Sequence, residues 1–90
     1  MVNEHLKNRY IIIGRISCDW CASAISCLDD RALEYVFLNY EDRREILDDY
    51  KEFHNHETVP IILLNNLETG YTQKIGGFSE LKEYLENGGM

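Results

Sequence analysis

The feature that most constrains this chain is a pair of cysteines placed between an apolar segment and a helical pattern. Residues 10–13 have the sequence of a short buried strand, and Gly14 interrupts it. Cys18 stands where the helical pattern begins, and Cys21 follows three residues later. At a helix N-terminus, unpaired N–H groups and the helix dipole favour a thiolate over a thiol. The pattern therefore predicts a nucleophilic Cys18 with a partner cysteine that can close a reversible disulfide.

The first helix is predicted to bury one of these two thiols. Apolar residues recur there at i, i+3, i+4 and i+7, which defines one helix face: Cys21, Ala24, Ile25 and Leu28. Cys18, on the first turn, stays near the surface, which suits an attacking thiol with a sheltered resolving thiol. Residues 29–31 are polar and are predicted to connect this helix to a second strand, over residues 35–38.

The rest of the chain predicts a second helix, two more strands and a last helix. Asn39 is expected to cap a helix over about residues 41–54, whose apolar face comprises Ile46, Leu47, Tyr50 and Phe53. Residues 59–64 form an apolar run with the only proline at its start, and residues 71–75 return as an antiparallel strand. Phe78, Leu81 and Leu85 mark a helix that ends at residues 87–88.

Length and charge limit what such a chain can be. Ninety residues make one small domain, expected over 1–90 with an ordered core at about 9–87. The net charge of −7 argues against nucleic acid and anionic membrane surfaces as partners. No segment has the length of a membrane span, and because Glu4, Lys7 and Arg9 precede any apolar run, we expect no signal peptide. Three cysteines are too few for a disulfide scaffold, so we expect a reducing, cytoplasmic setting.

Three motifs in order resemble those of the glutaredoxins. They are Gly-Arg-Ile-Ser-Cys-Asp-Trp-Cys at 14–21, Thr-Val-Pro at 58–60 and Gly-Gly-Phe-Ser-Glu-Leu at 76–81. The resemblance covers nearly everything from Tyr10 to Leu85. It implies an α/β chain with the thioredoxin fold, in the minimal order β-α-β-α-β-β-α with a four-stranded mixed sheet flanked by three helices. One departure is Asp19, where many dithiol members have proline.

The resemblance also implies which residues form the site. A residue before proline is held extended, so Val59 can pair its backbone with a peptide, and the family has a cis bond at the position of Pro60. Free N–H groups at the start of the last helix suit a carboxylate, and in the family Ser79 and Glu80 match positions that contact glutathione's γ-glutamyl end. Arg15 adds a positive charge near Cys18. Besides the catalytic Cys18 and Cys21, the predicted glutathione-binding residues are Arg15, Trp20, Thr58, Val59, Pro60, Gly77, Phe78 and Ser79.

The activity implied by the resemblance is glutathione-dependent thiol–disulfide exchange. The Cys18 thiolate would reduce protein–glutathione mixed disulfides, and with Cys21 as resolving thiol it would reduce protein disulfides. Glutathione is the expected reductant and partner, with no bound cofactor or metal, and target proteins in the family include ribonucleotide reductase. A monomer is expected. Arg44 and Lys51 are candidates for holding glutathione's glycyl carboxylate.

Other interpretations remain open at this point. The same fold could serve as a thioredoxin-like electron carrier supplied by a reductase enzyme, or could bind an iron–sulfur cluster, although cluster-binding relatives have a single cysteine. A zinc site at Cys18 and Cys21 lacks a second ligand pair, since Cys27 stands alone and only one residue separates His54 from His56. Cys27 is predicted to be a packed thiol on the helix side opposite Cys18. The two histidines are predicted to lie at the surface.

Overall fold

The computed structural model describes residues 8–88 of the chain. In that range it contains four strands and three helices, in the order β-α-β-α-β-β-α that the sequence predicts. Their bounds are β1 Asn8–Gly14, α1 Asp19–Asp30, β2 Tyr35–Asn39, α2 Arg44–Phe53, β3 Ile61–Asn66, β4 Thr72–Gly76 and α3 Phe78–Glu86.

The four strands form one mixed sheet in the order β2-β1-β3-β4. β1 pairs in parallel with β2, and Ile12 lies opposite Phe37. β3 runs antiparallel to both β1 and β4, with a register shift between Ile62 and Leu63 on the β4 side. The mixed sheet and the hairpin of β3 and β4 confirm the predicted fold class.

The period of two along β1 divides its side chains between two cores, one on each face of the sheet. Tyr10 and Ile12 belong to the larger core, which contains buried residues of β3, α1 and α3: Ile62, Leu64, Ala24, Leu28, Leu81 and Leu85. Ile13 belongs to the smaller core, where it packs with Leu47 of α2 and with β3 residues Ile61 and Leu63. Helices α1 and α3 therefore cover one face, and α2 covers the other.

Two predicted helix boundaries were wrong. Helix α1 continues through Asp29 and Asp30, which were predicted to lie in the connection. Helix α2 begins at Arg44 rather than near residue 41, and Asn39 does not cap it. The Asn39 side chain instead accepts hydrogen bonds from the backbone N–H groups of Ile16 and Glu41, at 3.0 and 3.2 Å. Asn39 therefore stabilises the connection before the helix.

The predicted apolar face of α2 was wrong at its end, because Phe53 is 82% exposed. The inward positions include the buried Leu47 and the half-buried Tyr50 of this helix and the half-buried His54 directly after it, which follow the spacing i, i+3, i+7. At 100° per residue, Phe53 lies about 120° around the helix from Leu47, on the flank of that stripe. The Phe53 and His54 rings are nearly perpendicular, with centroids 4.9 Å apart.

No helix between residues 8 and 88 is long and apolar enough to cross a membrane. The predicted single domain also includes residues 1–7 and 89–90, and the absence of a signal peptide was inferred partly from Glu4 and Lys7. These positions lie outside the described residues, so both interpretations stay predictions.

Ile62→Ala should destabilise the protein by about 2–5 kcal/mol, because it leaves a cavity in the larger core. Phe53→Ala is the matched control, since the exposed ring should cost no more than about 0.5 kcal/mol on removal. Urea unfolding followed by circular dichroism measures both changes. Equal losses for the two variants would contradict the assignment of Phe53 to the surface.

Candidate active site

Cys18 is the N-cap residue of α1 and ends the connection from β1 to this helix. Residues 15–18 form a turn in which the Cys18 N–H donates to the Arg15 carbonyl oxygen at 3.1 Å. The Cys18 Sγ then accepts a hydrogen bond from the Cys21 backbone N–H at 3.3 Å, as N-cap side chains do. This N–H and the positive end of α1 both favour negative charge on the sulfur. Cys18 is half-buried, so its sulfur remains reachable from outside.

Cys21 lies one turn deeper and is fully buried. The pKa of its thiol is raised to about 12, chiefly by burial; a backbone hydrogen bond from Arg15 lowers this pKa, and the neighbouring Cys18 raises it. Around neutral pH Cys21 is therefore a thiol. All three cysteines are free, so the two sulfurs are present in the reduced state. The predicted difference between an accessible Cys18 and a sheltered Cys21 is confirmed.

Gly14 was predicted only to interrupt the first strand and to begin the 14–21 motif, and the structure gives it a role in the site. A Cβ atom built on Gly14 would overlap the Cys21 Sγ atom and approach the Phe37 ring. Gly14 therefore provides the space in which the buried sulfur lies. The signal in the sequence was a glycine at the end of an apolar strand, but its partner is seven residues away, and only the fold brings the two together.

The segment before β3 lies beside Cys18. The Val59–Pro60 peptide bond is cis, as expected. The Cys18 Sγ lies 3.9 Å from the Val59 carbonyl oxygen, a distance at which a weak S–H···O hydrogen bond forms. The Val59 N–H has no hydrogen-bond partner among residues 8–88, so it is available to an extended peptide. Thr58 is exposed next to it, and Pro60 is buried.

Helix α3 begins on the same side, with Gly77 as its N-cap. We predicted that the Gly77 N–H would be free, and this was wrong. It donates to Glu80 Oε1 at 2.7 Å, because glutamate three residues into a helix can reach back to the cap. The N–H groups of Phe78 and Ser79, in the first turn, are those that a helix leaves without internal partners. They form the part of this terminus that can receive an anion.

The starts of α1 and α3 are joined by two aromatic rings. Trp20 stacks on Phe78, with ring centroids 5.6 Å apart and an angle of 30° between the planes. Trp20 is 61% exposed, whereas Phe78 is half-buried and packs against the larger core. The two rings therefore form a partly exposed aromatic surface near Cys18. Phe78 belongs to the start of α3.

Val59 also lines a cavity of about 340 Å³. Its lining includes three cations, Arg15, Arg44 and Lys51, and two carboxylates, Glu41 and Asp48. The two cations that the sequence suggested on the second helix are thus brought together with Arg15. Local positive charge at this cavity contrasts with the overall charge of −7.

His54 and His56 were predicted to lie at the surface, and both are half-buried. His54 is half-buried, its ring stacks on Tyr50 at 6.2 Å, and its pKa is lowered by burial, by Lys74 and by His56. His56 is also half-buried, and its Nε2 is buried without a hydrogen-bond partner in the described part of the chain. Between residues 8 and 88, no three His, Cys, Asp or Glu side chains cluster closely enough to hold a metal ion.

Cys27 is half-buried and packs against the larger core, as predicted. The Arg31 guanidinium lies 3.2 Å from its Sγ and 3.4 Å from its carbonyl oxygen, one helical turn further on. These contacts are at the opposite end of α1 from the site of Cys18.

A scan against models of protein families finds no match, and a search of curated protein sequences finds none either. Solved structures do resemble this one. A wheat glutaredoxin superposes with a TM-score of 0.74 at 16% identity, over 88% of this chain and 70% of that one. A buckwheat glutaredoxin–glutathione complex superposes with a TM-score of 0.72 at 16% identity, over 98% and 88%. A dithiolic glutaredoxin from Trypanosoma brucei brucei superposes with a TM-score of 0.70 at 22% identity, over 98% and 91%.

At these identities the likeness establishes the fold. The chain has the thioredoxin fold in the arrangement found in glutaredoxins, and it carries a Cys-x-x-Cys pair at the start of α1. The expected fold class is therefore confirmed, whereas the predicted glutathione contacts remain predictions.

Gly14→Ala should destabilise the reduced protein by about 1–3 kcal/mol, because its new methyl group overlaps the Cys21 sulfur. Adding Cys21→Ala should restore most of that loss, since the second change removes the atom in conflict. Urea unfolding under reducing conditions measures the single variants and the pair. Simple additivity of the two losses would contradict a direct contact between these residues.

Proposed function

We propose that this protein is a glutathione-dependent thiol–disulfide oxidoreductase that reduces protein–glutathione mixed disulfides and protein disulfides. The observation that carries the proposal is the environment of Cys18. Its sulfur accepts an N–H at the start of a helix, is partly accessible and lies 3.9 Å from the backbone of Val59, which has an unused N–H. The nucleophilic sulfur of Cys18 and the backbone of Val59, which can pair with a peptide, therefore lie next to each other.

The first step is attack by the Cys18 thiolate on the glutathione sulfur of a mixed disulfide. A Cys18–glutathione disulfide bond forms, the original disulfide bond breaks, and the target protein leaves as a thiolate that takes a proton from water. A second glutathione thiolate then attacks the glutathione sulfur held on Cys18. Glutathione disulfide leaves, and Cys18 returns to the thiolate. One glutathione thiol is consumed for each target thiol released, and both glutathionyl sulfurs leave together in glutathione disulfide.

Protein disulfides require Cys21. The reaction oxidises Cys18 and Cys21 to a disulfide, which two glutathione thiols then reduce with release of glutathione disulfide. Cys18 first attacks one sulfur of the target and forms a mixed disulfide with it, and Cys21 then attacks the Cys18 sulfur, closes the Cys18–Cys21 bond and releases the reduced target. Cys21 must lose its proton in this step, and burial disfavours the thiolate. The route through Cys18 alone avoids that cost. We therefore expect deglutathionylation to be the faster of the two activities.

Glutathione has a peptide segment with a carboxylate near each end, and the surroundings of Cys18 offer groups for both. The Val59 backbone would pair with the cysteine part, and the Phe78 and Ser79 N–H groups would receive the γ-glutamyl carboxylate. Arg15, Arg44 and Lys51 would attract the glycyl carboxylate. A buckwheat glutaredoxin of the same fold has been solved with glutathione bound, which supports this choice of ligand.

The remaining expectations follow from this activity. Disulfide-bearing or glutathionylated proteins would be the partners, with ribonucleotide reductase as one candidate target. The protein would work as a monomeric single domain in the cytoplasm, where glutathione keeps thiols reduced. Electron transfer would need no bound cofactor or metal.

Cys18→Ser should abolish reduction of a glutathione–peptide mixed disulfide, because no other thiol can attack from this site. Cys21→Ser should retain that activity and lose reduction of a protein disulfide. Glutathione disulfide formation, coupled to glutathione reductase and NADPH oxidation, measures both reactions. Turnover by Cys18→Ser would contradict the proposal, and turnover with a thioredoxin-type reductase in place of glutathione would favour the electron-carrier alternative.

Closure of the Cys18–Cys21 disulfide should accelerate with pH. Cys21 has a raised pKa, so its thiolate fraction increases by up to about tenfold per pH unit well below that value. The protein carrying glutathione on Cys18 can be prepared and its release of glutathione timed between pH 6 and 9. A closure rate independent of pH over this range would contradict the assignment of Cys21 as a protonated resolving thiol. The same adduct of Cys21→Ser, which cannot close, is the control.

A further inference from the structure

The turn that carries Cys18 has all its backbone N–H groups in use. Arg15 donates to the Cys21 thiol, and Cys18 donates to the Arg15 carbonyl at 3.1 Å. The two amides between them point out of the turn, where they cannot bond within it. They donate to the side chains of Asn39, the last residue of β2, and of Glu41 in the segment that follows it, more than twenty residues away in sequence.

Glu41 accepts one of these two amides and also contacts the Ser17 hydroxyl. Its Oε1 accepts the Ser17 N–H at 3.1 Å, and the Ser17 hydroxyl lies 2.9 Å from each of its carboxylate oxygens. Asn39 receives the Ile16 N–H at 3.0 Å. Because Ser17 immediately precedes the N-cap residue, its position sets where the Cys18 sulfur stands relative to α1.

The charge of Glu41 belongs to this arrangement. Donation from the Ser17 N–H and hydroxyl lowers the pKa of its carboxyl group, and Arg15 lowers it further. The other charged groups that line the same cavity are Arg44, Lys51 and Asp48. Since the folded-state pKa is depressed, the stabilisation is present above the ordinary range of a glutamate and is lost as pH falls through the lowered value. Around neutral pH the contact is a carboxylate with three donor–acceptor contacts to one residue.

We propose that Glu41 is a positioning residue for the attacking thiol, acting through Ser17 to fix the turn that presents Cys18 at the start of α1. The part of this inference that concerns turnover rests on the proposed function. The part that concerns the reactivity of Cys18 does not. Neither resemblance nor sequence pattern assigned Glu41 this role, since it was expected in the first turn of α2.

Three variants test the contact. Glu41→Ala removes the acceptors, Ser17→Ala removes the hydroxyl donor, and Glu41→Gln keeps one acceptor oxygen while removing the charge. Glu45→Ala is the matched control. Glu45 is exposed, whereas Glu41 is half-buried. The pKa of Glu45 is also lowered, because Arg43 donates to it at 2.6 Å, but the Glu45 side chain makes no hydrogen bond with residues 15–18.

The measurement is the rate at which iodoacetamide alkylates Cys18 in the reduced protein, with Cys27 of the same molecule as internal reference. Loss of one or two hydrogen bonds should slow Cys18 relative to Cys27 by about three- to tenfold in Glu41→Ala. Glu41→Gln should stay within about twofold of the wild type, as should Glu45→Ala. A variant that merely unfolds would expose Cys27 and Cys21 to alkylation, which mass spectrometry of the peptides distinguishes.

Combining Glu41→Ala with Ser17→Ala should slow Cys18 no more than Glu41→Ala alone, because both changes break one contact. The proposal is overturned if Glu41→Ala reacts like Glu45→Ala, if Glu41→Gln is as slow as Glu41→Ala, or if the double variant shows the product of the two single effects. Failure of the wild type to turn over a glutathione mixed disulfide would refute the proposed function and leave these reactivity ratios valid.

Discussion

The burial of Cys21 against the bare backbone of Gly14 is the contact on which the arrangement of the site depends. It brings the first turn of α1 down onto the end of β1, at a distance that any side chain on Gly14 would prevent. With α1 held there, Cys18 is left at the helix start with only a partial cover. Cys21 is thereby removed from solvent and the pKa of its thiol is raised, while Cys18, three residues earlier, stays half-buried. The different chemistry of two identical side chains follows from this one packing contact.

The second requirement is that three chain segments meet at Cys18. The parallel pairing of β1 with β2 places the loop after β2 beside the turn before α1, and the Tyr40 N–H extends that pairing to the Gly14 carbonyl at 2.9 Å. The antiparallel pairing of β1 with β3 brings Val59 and Pro60 to the same edge. Helix α3 follows directly from β4 and is tied to α1 by the stacked rings of Trp20 and Phe78. The sheet therefore assembles the site from residues far apart in sequence.

Much of the fold could be predicted because its signals are local. The short apolar run of β1, the i, i+3, i+4 spacing of α1 and the proline at the start of the third apolar run each depend on neighbouring residues, and each gave the right element. The position of Cys18 at a helix start was predictable for the same reason. The resemblance to glutaredoxins added the order of the strands, which local pattern alone does not determine.

What the sequence could not provide was the choice of partner for several polar side chains. Asn39 and Glu41 look like the cap and first turn of a helix, but their side chains are engaged by the backbone and hydroxyl of the turn before Cys18, so α2 starts later. Glu80 matches a ligand-contacting position, yet it closes the Gly77 N–H of its own helix. In each case a polar side chain had two plausible partners, and only the folded geometry decides between them.

The stacked aromatic pair has an optical consequence. Trp20 is the only tryptophan of the chain, lies between the two cysteines in sequence and is largely open to water. The indole emission of the whole protein therefore originates within the turn that separates the two sulfurs. A covalent adduct on one sulfur, or any other change in this turn, should therefore alter the fluorescence of Trp20, so that no attached dye is needed.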